Sequence, residues 1–276
     1  MKATRDARGG SAGITSDTTL TLRRFAVLFG VGVAGVASLY PTALEQLRNA
    51  PLPPGTSLPA LAAASLLTPT ALLAVAVVAG LKTAPRLGLR SYLLDWAVHD
   101  APILPRLRGD AATAVRWGVV AGVVILAVQF GFGLVVEQIA PGAGTETVGG
   151  VLATVPLRFL YGGVTEELLL RWGFMSVVAF VLSAAIDRER DAPSDRVMWT
   201  AVLLSAVVFG IGHLPAAARV FAVTPGVVAY ILVGNAVGGV VFGWLFWRRS
   251  LEAAMLSHAT VHVVLVAASI AALLVA

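Results

Sequence analysis

Six polar side chains with catalytic potential lie inside apolar stretches of this 276-residue chain. In chain order they are Glu166, Glu167, Arg171, His213, His258 and His262. A charged side chain at the centre of a membrane-spanning helix costs ~2.5–3.5 kcal/mol on mild insertion scales. Such groups persist where they pair with one another or line a cavity. Their placement predicts an active site or a transport site within the membrane.

The two adjacent glutamates differ in their local partners. Glu167 and Arg171 are four residues apart, so on a helix their side chains meet on one face and can form an ion pair. Glu166 points about 100° away from Glu167 around the same helix, and it has no counter-charge nearby in the sequence. Glu166 is therefore the candidate general acid or base, and Glu167 with Arg171 is a candidate orienting or structural pair.

Three of the four histidines lie in apolar stretches, as the glutamates do, and only His99 lies in a loop. His213 ends its stretch, one helical turn after Phe209. His258 and His262 are four residues apart and therefore share one face of a helix. This spacing can present two imidazoles to one metal ion, or two donors to one developing oxyanion. The spacing alone leaves both kinds of chemistry open.

The composition predicts an all-α, polytopic transmembrane helical bundle. Mean hydropathy is +0.86 and only 13% of residues are charged. Because a span needs roughly 20 apolar residues, we expect about seven spans (seven to eight), near residues 25–44, 58–81, 115–136, 149–186, 198–213, 226–247 and 251–275. The fourth is long enough to be one tilted helix or a pair broken around Gly162 and Gly163. Residues 1–22 are expected to form a disordered cytoplasmic tail, and residues 23–276 one membrane-embedded domain with a catalytic core at about 150–265.

The basic residues are distributed unevenly between the two ends of the expected spans. Sixteen of the 20 lysines and arginines fall on one side, and two, Arg48 and Arg219, fall on the other. The positive-inside rule then predicts a multi-pass protein of the cell membrane with a cytoplasmic N-terminus. The net charge of +5 is explained by this topology, so we expect membrane lipids and a membrane-associated protein or peptide as partners, and no nucleic acid. The absence of cysteine excludes disulfides and thiolate catalysis.

Three further patterns concern the packing of the helices. Gly234 with Gly238, and Gly239 with Gly243, place glycines on one helix face, where a neighbouring helix can approach closely. Pro69 is expected to kink the second span. The loop at residues 83–114 carries apolar residues at helical spacing, which predicts a short amphipathic helix at the membrane interface.

Three ordered motifs carry a family resemblance: Glu166-Glu167-xxx-Arg171, Phe209-xxx-His213 and His258-xxx-His262. They resemble the motifs of the CAAX-protease and bacteriocin-processing (CPBP) family of intramembrane endopeptidases, over roughly residues 150–265. The resemblance implies a glutamic peptidase without a cofactor or metal, acting on a membrane-associated protein or peptide, and prenylated chains are one such class of substrate. Glu167 and Arg171 would then hold the helix that carries the catalytic glutamate.

The resemblance also implies roles for the other four residues. Glu166 and His213 would polarise a water molecule for attack on a peptide carbonyl group. His258 and the residue at position 262 would form the oxyanion hole. The usual family residue at this last position is asparagine, so His262 is a departure. A neutral imidazole N–H can still donate a hydrogen bond, but the imidazole is also able to bind a metal ion.

Two other functions stay open at this point. One is a zinc-dependent membrane hydrolase with Glu166, His213, His258 and His262 as ligands, although the sequence lacks a His-Glu-xx-His motif. The other is a non-catalytic immunity or scaffold protein, or a proton-coupled carrier, in which the same residues form a buried network.

The expected depths of two site residues conflict. Counted from the cytoplasmic ends of their helices, His258 lies about nine residues in and Glu166 about twenty, which correspond to roughly 14 Å and 30 Å in straight α-helices. We therefore expect either that the helix after Arg171 extends well into the cytoplasm or that the fourth stretch is two pieces.

Overall fold

The structure, a computed structural model, describes residues 9–49, 51–139 and 147–275. These residues contain helices and no strand. The α-helices are α1 Gly9–Ala37, α2 Tyr40–Leu47, α3 Leu58–Ser65, α4 Leu67–Thr83, α5 Tyr92–His99, α6 Ile103–Gly133, α7 Val148–Ala153, α8 Ser176–Ile186, α9 Asp195–Ala217, α10 Pro225–Arg248 and α11 Leu251–Val275. Between α7 and α8 the chain is π-helical over Leu157–Glu166 and Leu168–Met175, here called the π segment.

Seven helical stretches of the described residues are long and apolar enough to cross a membrane. They are Thr19–Leu47, Leu58–Leu87, Ile103–Gly133, Val148–Ile186, Asp195–Ala217, Pro225–Arg248 and Leu251–Val275. The predicted all-α, multi-pass bundle is thereby confirmed, with seven candidate spans. The cytoplasmic location of the N-terminus stays a prediction.

The first span differs most from its predicted bounds. Residues 1–8 of the expected disordered tail lie outside the described residues, but residues 9–22 form the beginning of α1. Adding residues to an existing helix is much easier than nucleating one, so the apolar part of α1 can extend the helix into this polar sequence. At its other end the span is interrupted after Ala37 and resumes as α2, with Pro41 in its first turn.

The second span contains the break that Pro69 predicts. The proline ring clashes with the carbonyl group four residues earlier, which belongs to Ser65. Ser65 is the last residue of α3, and α4 begins at Leu67. The interruption at Leu66 thus separates α3 from α4 a few residues before the proline itself.

The predicted amphipathic helix in the loop is α5, and it is tied to the start of α11. The carboxylate of Glu252 accepts hydrogen bonds from Ser91 Oγ at 2.7 Å and from the backbone N–H groups of Tyr92 and Leu93 at 2.9 and 3.0 Å. Tyr92 also donates its hydroxyl hydrogen to Asp110 of α6 over 2.5 Å. These bonds hold the loop against the helix that carries His258.

The fourth span lies at the centre of the bundle, where the π segment contacts α1, α4, α9, α10 and α11. The stretch from Val148 to Ile186 is a single candidate span rather than two. A π-helix closes i→i+5 hydrogen bonds and is common at functional sites. It places more residues in each turn than an α-helix, so depths counted at the α-helical rise overestimate distances along this span.

Small residues let α9 and α10 pack closely. A Cβ atom on Gly239 would lie 2.8 Å from Ala206, and one on Gly243 would lie 3.0 Å from Val202. The close approach predicted for these glycines is therefore present. Gly234 is different, because nothing lies within 4 Å of its would-be Cβ atom, and it borders a cavity instead.

Candidate active site

The carboxylate of Glu166 lies between two imidazole rings from different helices. Its Oε1 atom is 4.0 Å from Nε2 of His213 on α9, and its Oε2 atom is 4.0 Å from Nε2 of His258 on α11. Both distances exceed those of a direct hydrogen bond, and a polar gap of this length suits one bridging water molecule. The three residues predicted to converge are thus together, and the depth mismatch expected for straight helices does not keep them apart.

The orientation of His213 is fixed by its own helix. Its Nδ1 atom lies 2.8 Å from the carbonyl oxygen of Phe209. Because a carbonyl oxygen can only accept, Nδ1 carries the hydrogen, and in the neutral ring the lone pair of Nε2 faces Glu166. The side chain of His213 is 34% exposed and that of Glu166 is 16% exposed, so water can reach this pair. The carbonyl group of Phe209, four residues earlier, therefore fixes the orientation of the His213 ring.

His258 is deeper and is oriented by a carboxylate. Its Nδ1 atom lies 2.8 Å from Oε1 of Glu167, and its ring stacks on Phe242 with centroids 4.3 Å apart. On the other side the ring of His262 lies 4.9 Å away at an interplanar angle of 25°. The contact of Glu167 with His258 was missed by the sequence analysis, which gave Glu167 only a partner four residues away.

The predicted pair of Glu167 and Arg171 is present, and both side chains are fully buried. Arg171 Nη1 lies 3.3 Å from Glu167 Oε1, an ionic contact without the alignment of a hydrogen bond. Arg171 Nη2 donates to the carbonyl oxygen of Gly239 over 3.1 Å. Its guanidinium group also lies over the rings of Phe209 and Phe242, at 4.7 and 5.4 Å from their centroids. Arg171 thus joins the π segment to α9 and α10.

His262 lies beside the other site residues without contacting Glu166. Its Nε2 atom faces Gly162, where a Cβ atom would lie only 2.7 Å away. Its Nδ1 atom is buried and has no hydrogen-bond partner among the described residues. The glycine at position 162 thus provides the space that this imidazole occupies.

The zinc alternative requires at least three ligand side chains grouped around one ion. Within the described ranges, no three His, Asp or Glu side chains are grouped so that they could hold a metal ion.

Two largely apolar cavities meet at this cluster. One, of about 660 Å³, lies between α2, α4 and α9. The other, of about 390 Å³, lies between the π segment, α10 and α11. Both are bordered by Tyr161, Glu166, Phe209 and His213. A long apolar molecule can therefore extend to either side of Glu166.

Comparison with known proteins yields one family match. Residues 147–264 match a family described as type II CAAX prenyl endopeptidase Rce1-like. No curated protein and no solved structure matches the chain significantly. The matched region contains all six candidate residues but less than half of the chain. Over this region the resemblance to the CPBP family is confirmed, and the match supports a multi-pass membrane protease of the CAAX type.

Proposed function

We propose that this protein is an intramembrane endopeptidase in which Glu166 and His213 activate a water molecule for attack on a peptide bond. The observation that carries the proposal is the position of the Glu166 carboxylate, 4.0 Å from the Nε2 atoms of both His213 and His258. The family match supports a membrane protease in general. The glutamic mechanism is an inference from this geometry.

The first step is the attack of water. As the water oxygen bonds to the carbonyl carbon, one water proton passes to Glu166, and the lone pair of His213 Nε2 accepts a hydrogen bond that orients the water. Glu166 then transfers the proton to the amide nitrogen while the C–N bond breaks. Each turnover consumes one water molecule, releases a new carboxyl group and a new amine, and returns both side chains to their starting states.

His258 is the proposed donor to the oxyanion that forms on the carbonyl oxygen. In a neutral ring Nε2 carries a hydrogen when Nδ1 accepts one from a protonated Glu167. Two carboxyl groups flank this ring, Glu167 at Nδ1 and Glu166 at Nε2. His262 stacks on His258 and is the second candidate donor. Removal of one oxyanion donor typically costs ~10²–10³ in rate.

The proposed substrate is a membrane-associated protein or peptide. The two apolar cavities that meet at Glu166 suit a chain with a long apolar group near the bond to be cut. A prenyl group is the anchor suggested by the matched family description. A polypeptide buried here would also be protected from bulk water except at the reacting bond.

The test is cleavage by purified protein in liposomes, with wild type compared with Glu166→Gln. A farnesylated peptide serves as the defined substrate, and membrane proteomics of producing cells detects uncut natural precursors. Glu166→Gln is expected to abolish cleavage while the melting temperature and peptide binding stay close to those of the wild type. Glu189→Gln is the matched control, because Glu189 is exposed between α8 and α9. Turnover retained by Glu166→Gln would remove the glutamic mechanism.

A further inference from the structure

The carboxylate of Glu252 is buried on α11, six residues before His258 and outside the three motifs. Only 6% of the residue is exposed, and within the described part of the chain no lysine, arginine or histidine forms an ion pair with it. A buried carboxylate costs free energy unless other groups stabilise its charge. Glu252 has no role in the proposed hydrolysis, and it is not among the described residues that border the two cavities.

Three hydrogen bonds from the start of α5 hold this carboxylate. Ser91 Oγ and the backbone N–H of Leu93 donate to Oε1 over 2.7 and 3.0 Å. The backbone N–H of Tyr92 donates to Oε2 over 2.9 Å. Tyr92 and Leu93 are the first two residues of α5, where unpaired N–H groups and the helix macrodipole favour a negative charge. Both carboxylate oxygens are therefore used, and a helix N-terminus takes the place of a cation.

The same end of α11 is joined to two further elements. The backbone N–H of Leu251 donates to the carbonyl oxygen of Arg90 over 3.0 Å. Asp110 of α6 accepts from the Tyr92 hydroxyl over 2.5 Å and lies 3.5 Å from Nη1 of Arg249. The partners of α11 in this network precede residue 147, so they come from the part of the chain without a family match. We call the network the α11 anchor, and its side chains are Ser91, Tyr92, Asp110, Arg249 and Glu252.

An unbroken α-helix connects this anchor to His258. Both Glu252 and His258 belong to α11, and six residues correspond to ~9 Å along its axis. Among the described residues, side chains of α11 form hydrogen bonds with other elements at these two positions. The packing of α11 on α6 is close but apolar, since a Cβ atom on Gly122 would lie 2.8 Å from Val264. A glycine face has no side chain that stops a helix from sliding, whereas hydrogen bonds depend on distance and direction.

The contacts of His258 leave little room for a displacement of α11. Its Nδ1 atom lies 2.8 Å from Oε1 of Glu167, and its Nε2 atom lies 4.0 Å from Oε2 of Glu166. A slip of α11 by one residue would move the ring by ~1.5 Å. A misplacement of about 1 Å can cost ~10²-fold in rate. The position of α11 along its axis is therefore important for the site.

We propose that Glu252 is a positioning residue, which fixes α11 along its axis and thereby places His258 beside Glu166. This inference rests on the proposed function, because it explains how the proposed oxyanion donor is held in place. It adds to that function a role for the part of the chain without a family match. That part holds the helix that carries His258, through Ser91 and the first backbone N–H groups of α5.

The first test measures cleavage of a farnesylated peptide by full-length protein in liposomes. In Glu252→Gln the side chain keeps its size, but its NH2 group cannot accept a hydrogen bond, so one side of the carboxylate contact is lost. We expect kcat to fall roughly 10- to 100-fold and KM to stay close to that of the wild type. Ser91→Ala removes one of the three donors and is expected to lower kcat by a smaller factor. A wild-type kcat in both variants overturns the inference.

Combination with His258→Ala separates positioning from a general weakening of the fold. If Glu252 acts through His258, adding Glu252→Gln or Ser91→Ala to His258→Ala lowers kcat no further. A general structural effect would lower kcat by the same factor in both backgrounds, and that result overturns the inference. Asp100→Asn is the matched control, because its exposed carboxylate lies at the other end of α5, 3.0 Å from Arg23. It is expected to keep the kcat and KM of the wild type, and a loss as large as that of Glu252→Gln contradicts a specific role for the α11 anchor.

A measurement on His258 itself separates failure of this inference from failure of the proposed function. The chain has four histidines, so NMR of nitrogen-labelled imidazoles in full-length protein in nanodiscs can follow His258, with His258→Ala for assignment. We expect Glu252→Gln to shift the His258 signals and Asp100→Asn to leave them unchanged. If the wild type cuts no farnesylated peptide, the proposed function is contradicted, and the NMR comparison still decides the role of Glu252. His258 signals that are the same in Glu252→Gln and the wild type overturn that role.

Discussion

Nδ1 of His258 is hydrogen-bonded to Oε1 of Glu167 over 2.8 Å, so the second glutamate of the motif orients the histidine on the last helix. The same oxygen lies 3.3 Å from Nη1 of Arg171. One buried carboxylate thus faces both the cation on its own helix and the ring that faces Glu166. We therefore expect Glu167 to affect folding and catalysis through two separable contacts.

Glu167→Ala is expected to lower both stability and activity. It leaves the fully buried Arg171 without its counter-charge, and breaking such a pair typically costs ~3–5 kcal/mol. It also removes the carboxyl group that orients His258. The measurements are the melting temperature in detergent and kcat on a farnesylated peptide.

The double variant Glu167→Leu with Arg171→Met separates the two contacts. Replacing a buried ion pair with apolar side chains can be neutral for stability, so we expect the melting temperature to recover relative to Glu167→Ala while kcat stays low. Recovery of hydrolysis along with stability would show that Glu167 does not act through His258.

His213→Ala is expected to lower kcat by at least roughly 10²-fold, as for loss of an acid–base group. The ring is partly exposed, and among the described residues its one hydrogen bond is to its own helix, through Phe209. We therefore expect little change in melting temperature. An enzyme with wild-type turnover after this substitution would contradict the proposed role of His213 in water activation.

The number of spans could be predicted because it depends on apolar length alone. The last helix, Leu251–Val275, has the bounds expected from hydropathy. Hydropathy does not encode the hydrogen-bond register of a helix, so the π segment was not foreseen. The polar residues from Gly9 onward are helical for a related reason, since composition does not report where an adjoining helix ends.

The site could be predicted in part, through the order of its motifs. The ion pair of Glu167 and Arg171 follows from local spacing. The bond of Glu167 to His258 joins residues 91 positions apart, and no local pattern reports such a contact. The only sequence signal for this contact was that apolar stretches carry both a second carboxylate, Glu167, and a histidine, His258, that has no charged partner nearby in the sequence.

His262→Asn is expected to be tolerated, with kcat within roughly tenfold of the wild type. Asparagine is the usual residue in the family that this region resembles, and its side chain supplies the N–H donor that an oxyanion needs. The measurement is kcat/KM on the farnesylated peptide. Complete inactivation would favour a metal-binding role for the imidazole.

Chelation tests the zinc alternative directly. With Glu166 and His213 as the water-activating groups, prolonged treatment with EDTA or 1,10-phenanthroline followed by desalting is expected to leave kcat unchanged. Inactivation that added zinc reverses would instead favour the metal-dependent hydrolase. A metal content measurement on the same preparations shows whether the chelators removed an ion.

Gly162→Ala is expected to reduce activity because the new methyl group would lie 2.7 Å from Nε2 of His262. That ring is stacked on His258, so displacing it also disturbs the ring that faces Glu166. His262→Ala in the same chain removes the obstacle, and the double variant is expected to regain the melting temperature lost by Gly162→Ala. Gly212→Ala is the matched control, since nothing lies within 4 Å of its would-be Cβ atom. If the double variant is no more stable than Gly162→Ala, the glycine matters for the π-helical backbone rather than for the space beside His262.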